Sequence, residues 1–235
     1  MQFTCLFPNG YRALVVGSSG TIGQALHDFY LRDPACQSVS TLSRDLNPGF
    51  DLENPSAFPD IVSQLAADGP FDLIIDATGA LIIDDQKPEK ALKYLQAQQL
   101  DRYFRINATG PILLLKALEP HMAASTACYA KLSARVGSIE DNQLGGWYGY
   151  RASKAALNMM LQTAAIELQR NRAAMRVVAL HPGTVKSPLS APFTRSGHDV
   201  MDAATSVRGM MRALWGLPAG RGAVFVDYQG NQIAW

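Results

Sequence analysis

Tyr150 and Lys154 are the two residues of this chain whose types and spacing first suggest chemistry. They stand four positions apart in a stretch that runs into helix-forming residues, so both side chains should lie on one face of a helix. A phenol has a pKa of about 10 and exchanges protons reluctantly at neutral pH unless a positive charge stabilises its phenolate form. Lys154 would supply that charge, which predicts a proton-transfer pair. The alternative is an exposed Tyr and Lys on an ordinary amphipathic helix.

A glycine-rich turn near the start of the chain predicts a nucleotide-binding segment. An apolar run at residues 13–16 ends at Gly17, and a helical pattern begins a few residues later. Between a strand and a helix, the first glycine permits a sharp turn, the second lets a pyrophosphate approach the backbone, and the third lets the helix pack closely on the sheet. The helix N-terminus then offers N–H groups and a favourable dipole to the phosphates. The predicted contacts are Gly17, Ser18, Ser19, Gly20, Thr21, Ile22 and Gly23.

The end of the second predicted strand indicates which dinucleotide binds. An Asp or Glu there would bond the ribose 2′-hydroxyl of NAD, but this chain has Ser43 and Arg44. A hydroxyl and a guanidinium suit a 2′-phosphate, so NADP is favoured over NAD. In the alternative, Arg44 pairs with the adjacent Asp45 at the surface. Asp51 and Leu52 follow a Pro-Gly-Phe turn and are predicted to contact the adenine.

Two later strand ends complete the predicted cofactor site. The apolar run at residues 71–76 is typical of a parallel strand covered on both faces, and it leaves through Ala77, Thr78 and Gly79. A strand over residues 176–180 leads to a Pro-Gly turn, whose rigid backbone can pass close to the nicotinamide carboxamide. The predicted contacts in this turn are Pro182, Gly183, Thr184, Val185 and Ser187. Residues 188–200 are predicted to form a mobile substrate lid.

Helical patterns cover residues 60–67, residues 88–99 and the stretch from Tyr150 to residue 170. Asn107 lies inside a further helix-like run of Ile, Leu and Ala, where its side chain competes with the backbone for hydrogen bonds. An internal amide at such a place indicates a functional role. The alternative is a structural amide that bends the helix near Gly110 and Pro111.

The bulk composition narrows the class of protein. The chain has 235 residues, 48% hydrophobic and 17% charged, which suits one α/β domain spanning residues 1–235. Its net charge of +1 gives no electrostatic reason to expect nucleic acid or an anionic membrane as a partner. Cys5, Cys36 and Cys128 stand at unrelated spacings, which argues against a disulfide framework or a metal cluster. Neither a basic signal-peptide start nor an apolar run of ~18 residues occurs, so the expected location is the cytoplasm.

These motifs together resemble the short-chain dehydrogenase/reductase family, and the residues that carry the resemblance are the turn 17–23, Asn107, Tyr150 with Lys154, and Pro182 with Gly183. Residues 135–139 and 145–154 resemble the C-factor and sniffer-type carbonyl-reductase branch of that family. The resemblance implies an α/β fold with a Rossmann-type, doubly wound parallel sheet of about seven strands and helices on both faces. It also implies hydride transfer between a nicotinamide cofactor and a small carbonyl compound or its alcohol, in a homodimer or homotetramer.

The resemblance further implies roles for single residues. Tyr150 would act as acid/base toward the carbonyl oxygen, Lys154 would lower its pKa and hold the ribose hydroxyls, and Asn107 would anchor a water that relays protons. A serine should polarise the carbonyl, but where relatives often have two serines this chain has Ser133 followed by Ala134. Ser133 is therefore the first candidate for that role and Ser138 the second.

Two departures from the family pattern keep a second function open. Ala134 stands where a serine is expected, and Asp76 stands where the family usually has Asn. The loss of one preorganised donor weakens transition-state stabilisation by a few kcal/mol, about 3 in measured cases. The alternative function is a nucleotide-binding sensor or signalling protein that keeps the fold and performs little or no catalysis.

Overall fold

Strands and helices alternate along the chain, as expected of an α/β protein. The computed structural model describes residues 6–188, 190–193, 200–218 and 220–235. The strands are β1 (Tyr11–Val16), β2 (Cys36–Leu42), β3 (Leu73–Asp76), β4 (Cys128–Leu132), β5 (Arg176–His181) and β6 (Val224–Asp227). The helices are α1 (Thr21–Arg32), α2 (Phe58–Ser63), α3 (Ala97–Phe104), α4 (Gly110–Leu118), α5 (Tyr148–Asn171) and α6 (Ala203–Gly216).

The six strands form one parallel sheet in the order β2-β1-β3-β4-β5-β6. After β1 the chain proceeds to one side, and from β3 onward it proceeds to the other, so the strand order reverses between β1 and β3. In an open α/β sheet, such a reversal leaves a crevice at the carboxyl ends of the strands where ligands bind. The predicted doubly wound, Rossmann-type fold is confirmed.

The described sheet has six strands rather than the expected seven or so. Between β2 and β3 the chain forms α2 and two short 3₁₀ turns, so β2 remains an edge strand. Pro48, Gly49 and Pro55 lie in this connection. Because proline lacks the N–H that a ladder needs and glycine weakens a strand, this segment is poorly suited to extend the sheet.

The core has two halves, one on each face of the sheet. Leu14 and Val16 of β1 pack into a cluster with residues of α4 and α5, whereas Ala13 and Val15 pack with residues of α1 and α6. Successive side chains of a strand point to opposite faces, and both faces of this sheet are covered. This arrangement explains why the strands are continuous apolar runs rather than alternating ones.

The predicted helix over residues 88–99 is wrong, and tertiary contacts give the reason. Residues 88–96 contain only a 3₁₀ turn (Leu92–Tyr94), and α3 begins at Ala97. The carbonyl of Glu89 accepts a hydrogen bond from the backbone N–H of Trp147, and its carboxylate accepts one from the N–H of Gly149. These bonds hold the segment against the start of α5. The helix predicted over residues 60–67 is the shorter α2.

The described ranges contain no helix that is both long enough and apolar enough to cross a lipid bilayer.

Candidate active site

A cleft of about 350 Å³ opens at the point where the strand order reverses. It brings together residues from the ends of β1, β2 and β3, as the sequence predicted for a dinucleotide. The predicted residues that line it are Gly17, Ser19, Gly20, Ser43, Arg44, Asp51, Leu52, Ala77, Thr78 and Gly79.

The glycine turn has the conformation that its residues were predicted to require. Gly17 has a φ of +79°, which L side chains rarely adopt. A Cβ on Gly23 would lie 2.0 Å from the Gly17 carbonyl oxygen, so only glycine lets α1 pack this closely on the turn. No side chain caps the N-terminus of α1, and its first turn contains no acidic residue. Its N–H groups and dipole are therefore available to an anionic ligand.

Two buried hydroxyls beside this turn have no hydrogen-bond partner within the described residues. They are the Oγ atoms of Ser18 and Ser43. Ser43 lines the cleft and Ser18 is next to its lining residues Gly17 and Ser19. Because buried polar groups are normally hydrogen-bonded, unpartnered hydroxyls at this place indicate that a ligand completes them. Arg44 is exposed next to Ser43 and forms no ion pair with Asp45 among the described residues. The chemistry of these donors fits the phosphates of a dinucleotide.

The opposite wall of the cleft was not predicted from sequence. It includes an ionic cluster in which Arg102 of α3 donates to both carboxylate oxygens of Glu53, at 3.0 and 2.8 Å, and also pairs with Asp84. These three residues come from three separate segments, and no local pattern connects them. The other lining residues that sequence reasoning missed are Phe50, Ala80, Ile82, Ile83 and Ile106.

Asn107 lies in a single π-helical turn (Arg105–Thr109) that joins α3 to α4. Its side-chain oxygen accepts a hydrogen bond from the N–H of Ala80 at 2.9 Å, and its side-chain nitrogen donates to the Ala80 carbonyl at 2.9 Å. A longer contact of 3.4 Å reaches the hydroxyl of Ser153. Asn107 is fully buried. It therefore holds the turn of residues 78–80, which forms one wall of the cleft.

Gly79 separates the cleft from Lys154 and Asn107. A Cβ built on Gly79, which has a φ of +138°, would lie 3.0 Å from the Asn107 Oδ1 and 3.3 Å from the Lys154 Nζ. A side chain at this position would push against both residues. The bare glycine keeps the Lys154 amine directly behind the wall of the cleft.

Tyr150 and Lys154 both lie on α5, as predicted. The pKa of each side chain is shifted in the direction that favours its neutral form. The Lys154 Nζ donates to the Leu132 carbonyl at 3.1 Å and lies 5.8 Å from the centre of the Tyr150 ring. Burial, and then the positive charge of Lys131, lower the pKa of Lys154 from 10.5 to about 7.

Tyr150 is half-buried between the rings of Tyr103 and Trp147, whose centroids lie 6.2 Å from its own. Burial, and then the neighbouring Tyr103, raise the pKa of Tyr150 above its ordinary value. The expectation from sequence was that Lys154 would lower it. The residues around this phenol instead favour its protonated form.

The two candidate serines are engaged elsewhere. Ser133 is buried, and its hydroxyl donates to the Asn158 side-chain oxygen at 2.7 Å. The hydroxyl of Ser138 accepts from the N–H of Asp141 at 3.0 Å and contacts the Trp235 carbonyl at 3.4 Å. Ala134 lies between them in sequence, is partly exposed, and brings no donor.

The segment after β5 is not among the residues that line the cleft. The Pro182 carbonyl accepts from the Ser206 hydroxyl at 2.6 Å, and a Cβ on Gly183 would lie 2.9 Å from both Met201 and Tyr228. Val185 pairs with Met201. Of the predicted lid, Leu189 and residues 194–199 lie outside the described residues. The predicted cofactor contacts that do not line the cleft are Ser18, Thr21, Ile22, Gly23, Tyr150, Lys154, Pro182, Gly183, Thr184, Val185 and Ser187.

A doubly wound sheet with a glycine-rich turn at its switch point, together with a Tyr–Lys pair on α5 whose lysine lies behind Gly79, is typical of a nucleotide-dependent oxidoreductase of the Rossmann class. Over residues 12–197 the chain matches the model of the short chain dehydrogenase family, and it belongs to that family. The family predicted from the sequence motifs is confirmed.

Particular relatives support the branch that the motifs indicated. The chain is 33% identical to the C-signal of Myxococcus xanthus over 168 residues, which are 71% of this chain and 94% of that protein. The carbonyl reductase Sniffer of D. melanogaster superposes with a TM-score of 0.80 at 24% identity, covering 97% of this chain and 99% of that one. An NADPH-bound carbonyl reductase from chicken fatty liver superposes with a TM-score of 0.84 at 22% identity, covering 97% and 95%. At these identities the two structures establish the fold alone.

Proposed function

We propose that this chain is an NADPH-dependent reductase that converts a small carbonyl compound to its alcohol. The observation that supports this most directly is the position of Lys154 and Asn107 behind Gly79, with Tyr150 one turn earlier on the same helix. The bound cofactor would supply the hydride. The chain itself would bind and orient both ligands and supply the proton.

Binding of the nucleotide would use donors that lack partners among the described residues. The N–H groups at the start of α1 and the Ser18 hydroxyl would meet the pyrophosphate, and the hydroxyl of Ser43 with the guanidinium of Arg44 would meet a 2′-phosphate. Ser43 and Arg44, rather than an acidic residue, directly follow β2, which favours NADPH over NADH.

Proton supply would come from Tyr150. Reduction needs a donor that is protonated before the reaction, and the raised pKa of Tyr150 keeps its phenol in that form at neutral pH. The oxidative direction needs a base, which the same shift disfavours. The Lys154 ammonium would stabilise the phenolate that forms and would hold the ribose hydroxyls of the cofactor. The raised pKa therefore suits Tyr150 to the role of proton donor in carbonyl reduction.

The test is a comparison of two Tyr→Phe variants with a panel of aldehydes, ketones and quinones. Tyr150→Phe should lose nearly all NADPH consumption while retaining NADPH binding, because only the proton donor is removed. Tyr148→Phe, on the exposed start of the same helix, is the matched control and should retain activity. Normal turnover by Tyr150→Phe would show that another group supplies the proton.

A second candidate function is nucleotide binding with little or no turnover. It is favoured by Ala134 and by the engagement of the Ser133 and Ser138 hydroxyls with other groups. This candidate requires tight NADPH binding, measured by cofactor fluorescence, together with no turnover of any carbonyl in the panel. Turnover that depends on Tyr150 would eliminate it.

A further inference from the structure

A fully buried ion pair lies between the two central strands at the site. Lys131 of β4 and Asp76 of β3 occupy directly paired register positions, and the Nζ and Oδ1 atoms are 2.9 Å apart. Both side chains have no exposed surface, whereas every other ion pair among the described residues keeps a partly exposed partner. Removing two charges from water is expensive, so a buried pair is weak support for stability alone. Its position suggests a functional reason.

The pair is bonded to the wall of the cofactor cleft. The Lys131 ammonium donates to the Thr78 hydroxyl at 2.9 Å and to the Thr78 carbonyl at 2.5 Å. Asp76 accepts from the backbone N–H and the hydroxyl of Thr78, and its second oxygen accepts from the Tyr129 hydroxyl at 3.0 Å. Asn107 holds Ala80 from the other side. The turn of residues 78–80 is therefore fixed at both ends around Gly79.

The pair also faces the catalytic amine. Ile74 and Tyr129 belong to the core on the α4/α5 side, and the two-residue period of a strand places Asp76 and Lys131 on that same face. The charged groups that act on Lys154 are Lys131 from β4 and Asp76 from β3. Tyr150 faces it from its own helix, and the uncharged Asn107 of the π-helical turn lies beside Gly79 together with the Lys154 Nζ.

Lys131 and Asp76 have unequal effects on the pKa of Lys154. Burial alone would raise the pKa of the Asp76 carboxyl, but the Lys131 charge and the bonds from Thr78 hold it below its ordinary value. Lys131 lowers the pKa of Lys154 more strongly than Asp76 raises it. The pair therefore leaves a net positive influence behind the amine.

We propose that Lys131 and Asp76 are positioning residues for the reduction, which fix the turn of residues 78–80 at the cofactor cleft and set the electrostatic environment of the Lys154 amine. The catalytic consequence of this role rests on the proposed function. The effect of the ion pair on the pKa of Lys154 exists in the substrate-free protein and is measured there.

Removal of Lys131 should raise the pKa of Lys154. Lys131→Met takes away the positive neighbour, so Lys154 should lose its proton at a higher pH. A neighbouring charge commonly shifts a pKa by about one unit. Asp76→Asn alone does not test this, because burial lowers the pKa of Lys131 and Asp76 is the group that keeps it protonated. A merely structural pair could weaken folding but would leave the pKa of Lys154 unchanged.

The measurement is the pH titration of the Lys154 side-chain carbon signal by NMR in the substrate-free protein, with the signal identified by its loss in Lys154→Met. Lys116→Met, on the exposed side of α4, is the control and should leave the midpoint unchanged. A higher midpoint in Lys131→Met would support the proposal. A lower midpoint, or no shift, would overturn it.

The double variant keeps the test usable if a single change prevents folding. Replacement of a whole buried pair by uncharged residues of similar size is often tolerated, whereas an isolated buried charge is not. In the Asp76→Asn/Lys131→Met protein the pH midpoint of the Lys154 titration should rise, because Lys131 lowers the pKa of Lys154 more strongly than Asp76 raises it. An unchanged midpoint in the folded double variant would also overturn the proposal. If the pKa of Lys154 shifts as expected but neither the unmodified protein nor any variant reduces a carbonyl, the proposed function is wrong while the role of the ion pair stands.

Discussion

Asn107→Ala should destabilise the fold by removing the two hydrogen bonds that hold Ala80. Both bonds measure 2.9 Å, whereas the 3.4 Å contact to Ser153 is too long to contribute much. Leaving a buried polar group unsatisfied costs about 1 to 3 kcal/mol. Ala80 is only half-buried, so water can partly replace the lost partner and the lower end of that range applies. Two groups then give a loss of about 2 kcal/mol.

Thermal unfolding measures this loss. For a chain of this length, 1 kcal/mol corresponds to about 2 to 4 °C, so Asn107→Ala should lower Tm by about 4 to 8 °C. Asn158→Ala is the matched control, because Asn158 is also a buried amide on a helix and accepts only the bond from Ser133, while its side-chain nitrogen has no partner among the described residues. Because the control loses one hydrogen bond rather than two, its Tm should fall by about half as much.

Equal losses in the two variants would refute the assignment of Asn107 as the anchor of Ala80. So would a Tm for Asn107→Ala that matches the unmodified protein. NADPH affinity gives a second readout, because a loosened turn at Gly79 should weaken cofactor binding in Asn107→Ala and leave it unchanged in Asn158→Ala.

Three further predictions follow from the site. Ala134→Ser should raise kcat about tenfold or more by adding a hydroxyl donor at the position where the family has one, since removal of such a donor typically costs at least that much; an unchanged kcat would show that this position does not face the carbonyl. Arg44→Ala should weaken NADPH binding about 10- to 100-fold by loss of a charge-assisted bond while NADH binding stays constant, and Arg212→Ala on the exposed side of α6 is the control; an equal loss for both nucleotides would contradict the 2′-phosphate assignment. Burial, and then Arg135, lower the pKa of His181 from 6.5 to about 4, so the folded state binds fewer protons than the unfolded state in this window, and stability should fall as the pH drops from 6.5 toward 4. Thermal unfolding at several pH values should show that His181→Gln loses this part of the acid sensitivity. An identical dependence of Tm on pH in the two proteins would argue against it.

Local patterns in the sequence were sufficient for most of the fold. The apolar runs ending in glycine predicted the strands on either side of the switch point, and strand–turn–helix order predicted the parallel, doubly wound sheet. The match to the short chain dehydrogenase family confirms the assignment made from the motifs. The roles of Tyr150, Asn107 and Ser133 in catalysis remain predictions for the variants above to decide.

Contacts between distant segments account for what the sequence did not predict. Residues 88–96 have a helical pattern, yet Glu89 is held against α5 by bonds to Trp147 and Gly149, about 60 positions away in the chain. Ser133 follows a strand end where a catalytic hydroxyl was expected, yet its Oγ turns to Asn158. Neither partner can be identified from the residues nearby.

The sequence by itself determined the glycine-rich turn after β1, the order of strands and helices, and the presence of Tyr150 and Lys154 on one helix face, because each depends on residues within a few positions of one another. Only the tertiary structure decided that Lys131 meets Asp76, that Asn107 holds Ala80, and that burial with the neighbouring Tyr103 raises the pKa of Tyr150. These outcomes depend on the register of parallel strands and on the depth of packing. Neither quantity can be predicted from the spacing of residues along the chain.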